Sequence, residues 1–105
     1  MKMIELTEVQ QTLIEQLKEM NRFFISEYNV KTILAIDNGL RLHTKNNGRV
    51  VNIDITYDYG NDLYDIKAYS VNSLKAECKQ IADFTGIFFD QLHELIRGIL
   101  FKEAS

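Results

Sequence analysis

Three dipeptides, Asn38-Gly39, Asn47-Gly48 and Gly60-Asn61, fall within roughly two dozen residues. Each is the two-residue signal of a tight antiparallel hairpin. Asn-Gly tolerates positive φ at both central positions, and a leading Gly suits the type II′ turn. Between these turns apolar and polar residues alternate, which predicts a four-stranded meander over about 31–37, 40–45, 49–58 and 63–71.

A two-residue loop also sets the strand register, so each turn can be checked against side-chain chemistry. Turning at Asn47-Gly48 pairs Thr44 with Val51, Leu42 with Ile53 and Leu40 with Ile55. Turning at Gly60-Asn61 pairs Tyr57 with Tyr64, Ile55 with Ile66 and Ile53 with Ala68. The first turn adds Ala35 opposite Leu42. These residues share one face, which becomes the core face. The other face carries Arg41 opposite Asp54 and Asp54 opposite Lys67. A plus–minus–plus row emerging from independently placed turns supports the register, each pair contributing about 0.2–1 kcal/mol. Arg41, His43, Asn52, Asp54, Lys67 and Tyr69 all fall on this polar face.

Helices flank the meander. Thr7 followed by Gln10 forms a capping box, after which Val9, Leu13, Leu17 and Met20 recur at helical spacing. Phe24 and Tyr28 would extend that stripe, while Arg22-Phe23-Phe24-Ile25 is equally compatible with a strand. Beyond Val71, the segment from Ser73 to Phe84 has helix-forming residues, yet Cys78-Lys79-Gln80-Ile81 fits a fifth strand. From Gly86 the pattern becomes helical. Phe88, Phe89, Leu92, Leu95, Ile96, Ile99 and Leu100 lie within an arc of about 140°, and Asp90, His93, Glu94 and Arg97 lie opposite. The expected architecture is α+β: an antiparallel four- to five-stranded meander with an N-terminal and a C-terminal helix packed on one face.

With 105 residues, 46% apolar and 26% charged, the chain suits one domain with its own core. There is no proline and no repeat to mark a linker, so residues 1–105 are expected to form a single domain. The single cysteine, Cys78, excludes an internal disulfide and is expected to behave as a half-buried small hydrophobe in a reducing cytoplasm. No stretch approaches the ~18 apolar residues of a membrane span, and the N-terminus lacks a signal-peptide pattern. Fifteen acidic residues against twelve basic ones, a net charge of −3, argue against a duplex-DNA binder, which needs clustered Lys and Arg.

Residues that carry chemistry are sparse. A structural zinc site takes four Cys or His ligands, whereas this chain offers His43, His93 and Cys78. Both histidines belong to polar faces and are expected at the surface. Asp54, Asp58, Asp62 and Asp65 form the richest acidic stretch, but Asp58 and Asp62 flank a hairpin turn, where Asp is favoured for local backbone bonding. The glycines are dispersed and build no phosphate loop, and there is no nucleophile elbow. No enzyme activity, no cofactor and no metal are therefore expected. Tyr69 beside Lys67, Asn52, Arg41 and His43 resembles the aromatic-plus-basic face of single-stranded nucleic acid binders, although Asp54 neutralises its centre.

Several segments taken together add a resemblance. Asn38-Gly39-Leu40, Val51 to Thr56, Asp62-Leu63-Tyr64-Asp65-Ile66 and Thr85-Gly86-Ile87-Phe88-Phe89-Asp90-Gln91-Leu92 occur in that order. In this order the chain resembles small uncharacterised proteins of phages and other mobile elements, which show an "NGL" hairpin, a "DLYDV" strand and a "GIYADxL" start to the last helix. It departs from them at Phe88-Phe89, where they carry Tyr-Ala or Tyr-Asn, and in lacking their "TGLY" ending. The resemblance implies a strand before the last helix, favouring β over Cys78–Phe84, and a role as a mobile-element accessory protein. The resulting expectation is a cytoplasmic, non-catalytic module that binds a host protein, in its sharpest form inhibiting a defence component. The alternative expectation is single-stranded nucleic acid binding on the polar sheet face. Self-association into a homodimer through the C-terminal helix is a third expectation, since its apolar arc is broad for so small a sheet.

Overall fold

The computed structural model describes residues 7–72 and 74–101. It is α+β, with the order α1 (Glu8–Met20), α2 (Phe24–Glu27), β1 (Val30–Ile36), β2 (Gly39–Asn46), β3 (Arg49–Asp58), β4 (Leu63–Asn72), β5 (Glu77–Ile87), a 3₁₀ turn at Phe89–Gln91, and α3 (Leu92–Phe101). The five strands form one antiparallel sheet in sequential order. Its inner face, with Leu40, Leu42, Val51, Ile53, Ile55 and Ile66, packs against Leu13 and Leu17 of α1, Phe24 of α2, and Leu92 and Ile96 of α3. Burying an aliphatic or aromatic side chain contributes about 1.5–3 kcal/mol, so this cluster supplies most of the driving force.

Helix α1 begins where the capping box predicts. Thr7 Oγ1 accepts from Gln10 N at 3.3 Å, and Gln10 Oε1 accepts from Thr7 N at 2.8 Å. The buried Gln10 amide then donates to Ile36 O at 2.8 Å, tying the helix start to the end of β1. Leu13 and Leu17 are buried, whereas Met20 is 46% exposed because the helix ends there and Asn21 turns extended at φ −154°. Residues 22–25 form no strand. Phe24–Glu27 is a separate helical turn that brings Phe24 and Tyr28 into the core.

The meander has the expected strands, and the second hairpin matches in detail. Asn47 (φ +52°) and Gly48 (φ +79°) form the loop, and Thr44, Leu42 and Leu40 pair with Val51, Ile53 and Ile55. The third hairpin has the predicted pairs Tyr57–Tyr64, Ile55–Ile66 and Ile53–Ala68. Its loop, however, is the four residues between Asp58 and Leu63, with positive φ at Asp62 (+55°) rather than at Gly60. The first hairpin differs in register. Ile36 pairs with Gly39, so Ala35 lies opposite Leu40 and not Leu42. The loop is Asp37-Asn38, with Asn38 at φ +58°. Gly39 is already in the strand, where a Cβ would sit 1.9 Å from Ile55 O. Glycine is required there for close approach of β2 to β3 rather than for turning. A two-residue slip preserves side-chain parity, so every face assignment survives it.

The segment after β4 resolves as a strand. Leu74, Lys75 and Ala76 make an exposed turn, with Ala76 at φ +51° and Lys75 N donating to Asn72 Oδ1; Ser73 lies outside the described residues. β5 then pairs with β4 along its length, and two bulges interrupt the ladder. Ile81 is the extra residue in the first. In the second, Gly86 at φ +66° donates its amide to Asp65 Oδ1 at 3.1 Å. Ladder hydrogen bonds to β4 override the helical propensity of its residues.

Two expectations about the C-terminal segment are corrected. The strand continues to Ile87 and the α-helix starts only at Leu92, so Phe88 and Phe89 stay outside its apolar face, 61% and 45% exposed. His93, expected on the polar side, is buried. His93 borders the buried stripe of Leu92, Ile96 and Leu100 and meets α1 and Tyr28. Nε2 donates to Leu17 O at 2.8 Å, and Nδ1 accepts from the Tyr28 hydroxyl at 2.5 Å. A polar ring is tolerated there because both nitrogens are satisfied. Among the described residues no helix is long and apolar enough to cross a membrane.

Candidate functional site

All the helices that contribute to the core lie on one side of the sheet, and among the described residues no layer covers the other face. Strand alternation brings the six polar-face residues together there in two adjacent cross-strand rows. One row runs Leu34, Arg41, Asp54, Lys67, Asp83, and the other Thr32, His43, Asn52, Tyr69, Gln80. Each row spans all five strands.

The ionic row is built on a two-pronged contact. Arg41 Nε donates to Asp54 Oδ1 at 2.6 Å and Nη2 to Oδ2 at 2.9 Å. This fork geometry is the strongest ion pairing available to a guanidinium, and it pushes the Arg41 pKa further up. Asp54 is the more enclosed partner, with a side chain 14% exposed against 38% for Arg41. Lys67 is exposed between Asp54 and Asp83 of the neighbouring strands. In the second row His43 Nδ1 donates to Asn52 Oδ1 at 2.6 Å, which orients the imidazole across the β2–β3 pair. Tyr69 is half-buried between Asn52 and Gln80.

Reasoning from sequence did not find Leu34, Gln80 and Asp83 as members of this face. Leu34 lies on this face in either first-hairpin register, but an apolar side chain gives no polar-face signal; the observed register sets it opposite Arg41. Gln80 and Asp83 are placed by the bulge at Ile81, which reverses parity midway along β5. Had β5 been read with strict alternation, these two residues could not have shared a face. The bulge also puts Cys78 on this side opposite Val71, where it is exposed and not the half-buried hydrophobe expected. The cause is its place on an edge strand with no helix above it.

The acidic stretch is held by local contacts. Asp54 serves Arg41, and Asp65 accepts from Gly86 N. Asp58 accepts from Gly60 N at 3.0 Å and from Asn61 Nδ2 at 2.8 Å, and these bonds, the Asn61 amide foremost, lower its pKa. Asp62 accepts from the Tyr57 hydroxyl, which raises the Tyr57 pKa to about 12. Among the described residues, no three His, Cys, Asp or Glu side chains converge as ion ligands. Across the middle of the open face Arg41, Lys45 and Lys67 are balanced by Asp54, Asp65 and Asp83. A surface of alternating sign, edged by Leu34, Val50 and Val71, is chemically suited to another protein surface of complementary pattern.

No protein-family model, curated protein or solved structure matches this chain.

Proposed function

We propose that this chain is a non-catalytic interaction module that docks a protein partner on the open face of its sheet. In keeping with the resemblance to mobile-element proteins, the partner is a host protein, in the sharpest form a defence component that the module inhibits. The observation that carries the reading is the five-strand face, uncovered among the described residues, and its ordered Arg41–Asp54–Lys67–Asp83 row. A charge-alternating row sets register with a partner, because a like charge brought opposite is repelled.

Single-stranded nucleic acid is a second ligand for the same face, and Tyr69 is the residue that favours it. Stacking on one aromatic contributes about 1–3 kcal/mol per base. The carboxylates that match the basic groups on this face weaken that reading, since phosphate binding needs an excess of cations.

Affinity capture from host lysate, with and without nuclease, separates the two. The protein-docking reading expects one stoichiometric protein that survives nuclease and is lost with the paired change Leu34→Glu and Lys67→Glu. Both side chains are exposed, so thermal melting monitors that the variant still folds. Recovery that disappears with nuclease and with Tyr69→Ala supports the nucleic acid reading instead. Capture unaffected by the paired change sinks the assignment to this face.

A further inference from the structure

A separate surface lies on the helix-bearing side of the sheet. A cleft of about 490 Å³ opens between the first turns of α1 and the β3–β4 hairpin, lined by Tyr57, Tyr59, Tyr64, Gln16, Glu8 and Asp62. The rings of Tyr57 and Tyr59 are 4.9 Å apart at 77°, and those of Tyr57 and Tyr64 are 5.4 Å apart at 54°. Tyr57 and Tyr59 meet edge to face and Tyr57 and Tyr64 are tilted, so the three rings that wall the cleft are not stacked. Tyr57 is fastened by its hydroxyl to Asp62, and Tyr64 donates to Gln16 Oε1 at 2.5 Å. Two of the three walls are thus oriented by hydrogen bonds before any ligand arrives.

Core packing does not explain the third wall. Tyr59 is 62% exposed on the hairpin loop, and the ring beside it is that of Tyr57. Among the described lining residues Glu8 and Asp62 are charged, and none is Lys, Arg or His. Among the described residues an anion would meet two carboxylates and no cation. The positive end of α1 does not alter this balance. Gln10 N is taken by Thr7 Oγ1 and Gln11 N by Thr7 O, and Glu8 sits in the first turn.

We propose that this cleft is an aromatic cage for an alkylammonium group, either a free quaternary amine or a methylated lysine side chain. Aromatic faces carry negative electrostatic potential and attract a cation that cannot be strongly hydrated, while the two carboxylates add Coulomb attraction. The volume is ample for a trimethylammonium head with part of its tail. The site is independent of the open sheet face.

The test is titration of the full chain with choline, with 3,3-dimethylbutanol as its neutral isostere, and with a short peptide carrying trimethyllysine, followed by calorimetry and by the tyrosine ring signals in NMR. The cage expects saturable binding of at least one ammonium probe, shifts at Tyr57, Tyr59 and Tyr64, and binding of the isostere at least about tenfold weaker. Tyr59→Ala should weaken the ammonium probe about five- to thirtyfold without changing the melting temperature, and Asp62→Asn should weaken it in the same direction. A peptide that outbinds choline assigns the ammonium to a protein side chain, and the reverse order assigns it to a free small molecule. Equal binding of the isostere, affinity unchanged in Tyr59→Ala, or no saturation of either ammonium probe at concentrations on the order of 10 mM overturns the proposal.

Discussion

The hydroxyl of Tyr28 and Nδ1 of His93, 65 residues apart, meet in a 2.5 Å hydrogen bond inside the core. Nε2 of the same ring donates to Leu17 O, so one imidazole joins α1, the segment after α2, and α3. Phe24 lies beside both rings, at centroid distances of 6.3 Å from Tyr28 and 6.1 Å from His93. Burial favours the neutral ring, and with the Nε2 proton donated to Leu17 O, Nδ1 is the acceptor for the Tyr28 hydroxyl.

Stability should therefore depend on pH through His93. Burial is the main cause holding its pKa below 6.5, with Arg97 lowering it further and the Leu17 carbonyl and Glu27 opposing. Unfolded, the ring binds a proton near its ordinary pKa of about 6.5, whereas the folded protein resists it. The His93 contribution is thus complete above about pH 6.5 and is lost as pH falls through the lowered folded value. Urea midpoints measured from pH 8 to 5 (a range chosen to span about 6.5) should fall towards acid. The slope should flatten in His93→Gln; an unchanged slope would falsify a buried neutral His93.

Tyr28→Phe should cost about 1–3 kcal/mol, because it leaves buried His93 Nδ1 without its donor. A double-mutant cycle with His93→Phe should show coupling of about 1 kcal/mol or more in chemical denaturation. Strict additivity would mean that the hydrogen bond contributes nothing net.

The two hairpin glycines should respond differently to alanine. Gly48→Ala meets open space and bears only the strain of φ +79°, about 1–2 kcal/mol. Gly39→Ala places a methyl 1.9 Å from the backbone at Ile55 O, where neither strand can give way. It should cost more than about 3 kcal/mol or prevent folding. Equal melting temperatures for the two variants would refute the close approach of β2 to β3.

Replacing Asp54 by Ala should destabilise the protein by roughly 1 kcal/mol, the upper end for an ion pair that keeps some solvent contact. Glu27→Ala, which breaks the more exposed pair with Arg97, should cost less. High salt should widen the gap, since the more exposed Glu27–Arg97 pair is screened more than the enclosed Asp54 carboxylate. Chemical denaturation at two ionic strengths provides the comparison.

Much of this fold was legible in the residues because its signals are local. A capping box needs only Thr7 and Gln10, and turn dipeptides with period-two alternation place β2, β3 and β4. The Arg41–Asp54–Lys67 alignment follows from loop geometry alone, so the six polar-face residues could be assembled before any coordinates. What was missed depended on contacts between distant segments. Gly39 looked like a turn residue because Asn-Gly has that meaning locally, whereas its strand position is dictated by Ile55. His93 looked like a surface residue because it is polar, yet at about 100° per residue it lies beside Leu100 at the edge of the apolar stripe and is buried with Leu92, Ile96 and Leu100.

The sequence by itself determined the meander, its inner and outer faces and the charged row, because turn chemistry and strand periodicity act over a few residues and need no partner. The strand character of β5, the burial of His93 and the exposure of Cys78 arise instead from contacts between distant segments. Those outcomes come from β4 supplying a hydrogen-bonding edge, from Tyr28 and Leu17 satisfying both imidazole nitrogens, and from all the core-forming helices packing on one side of the sheet.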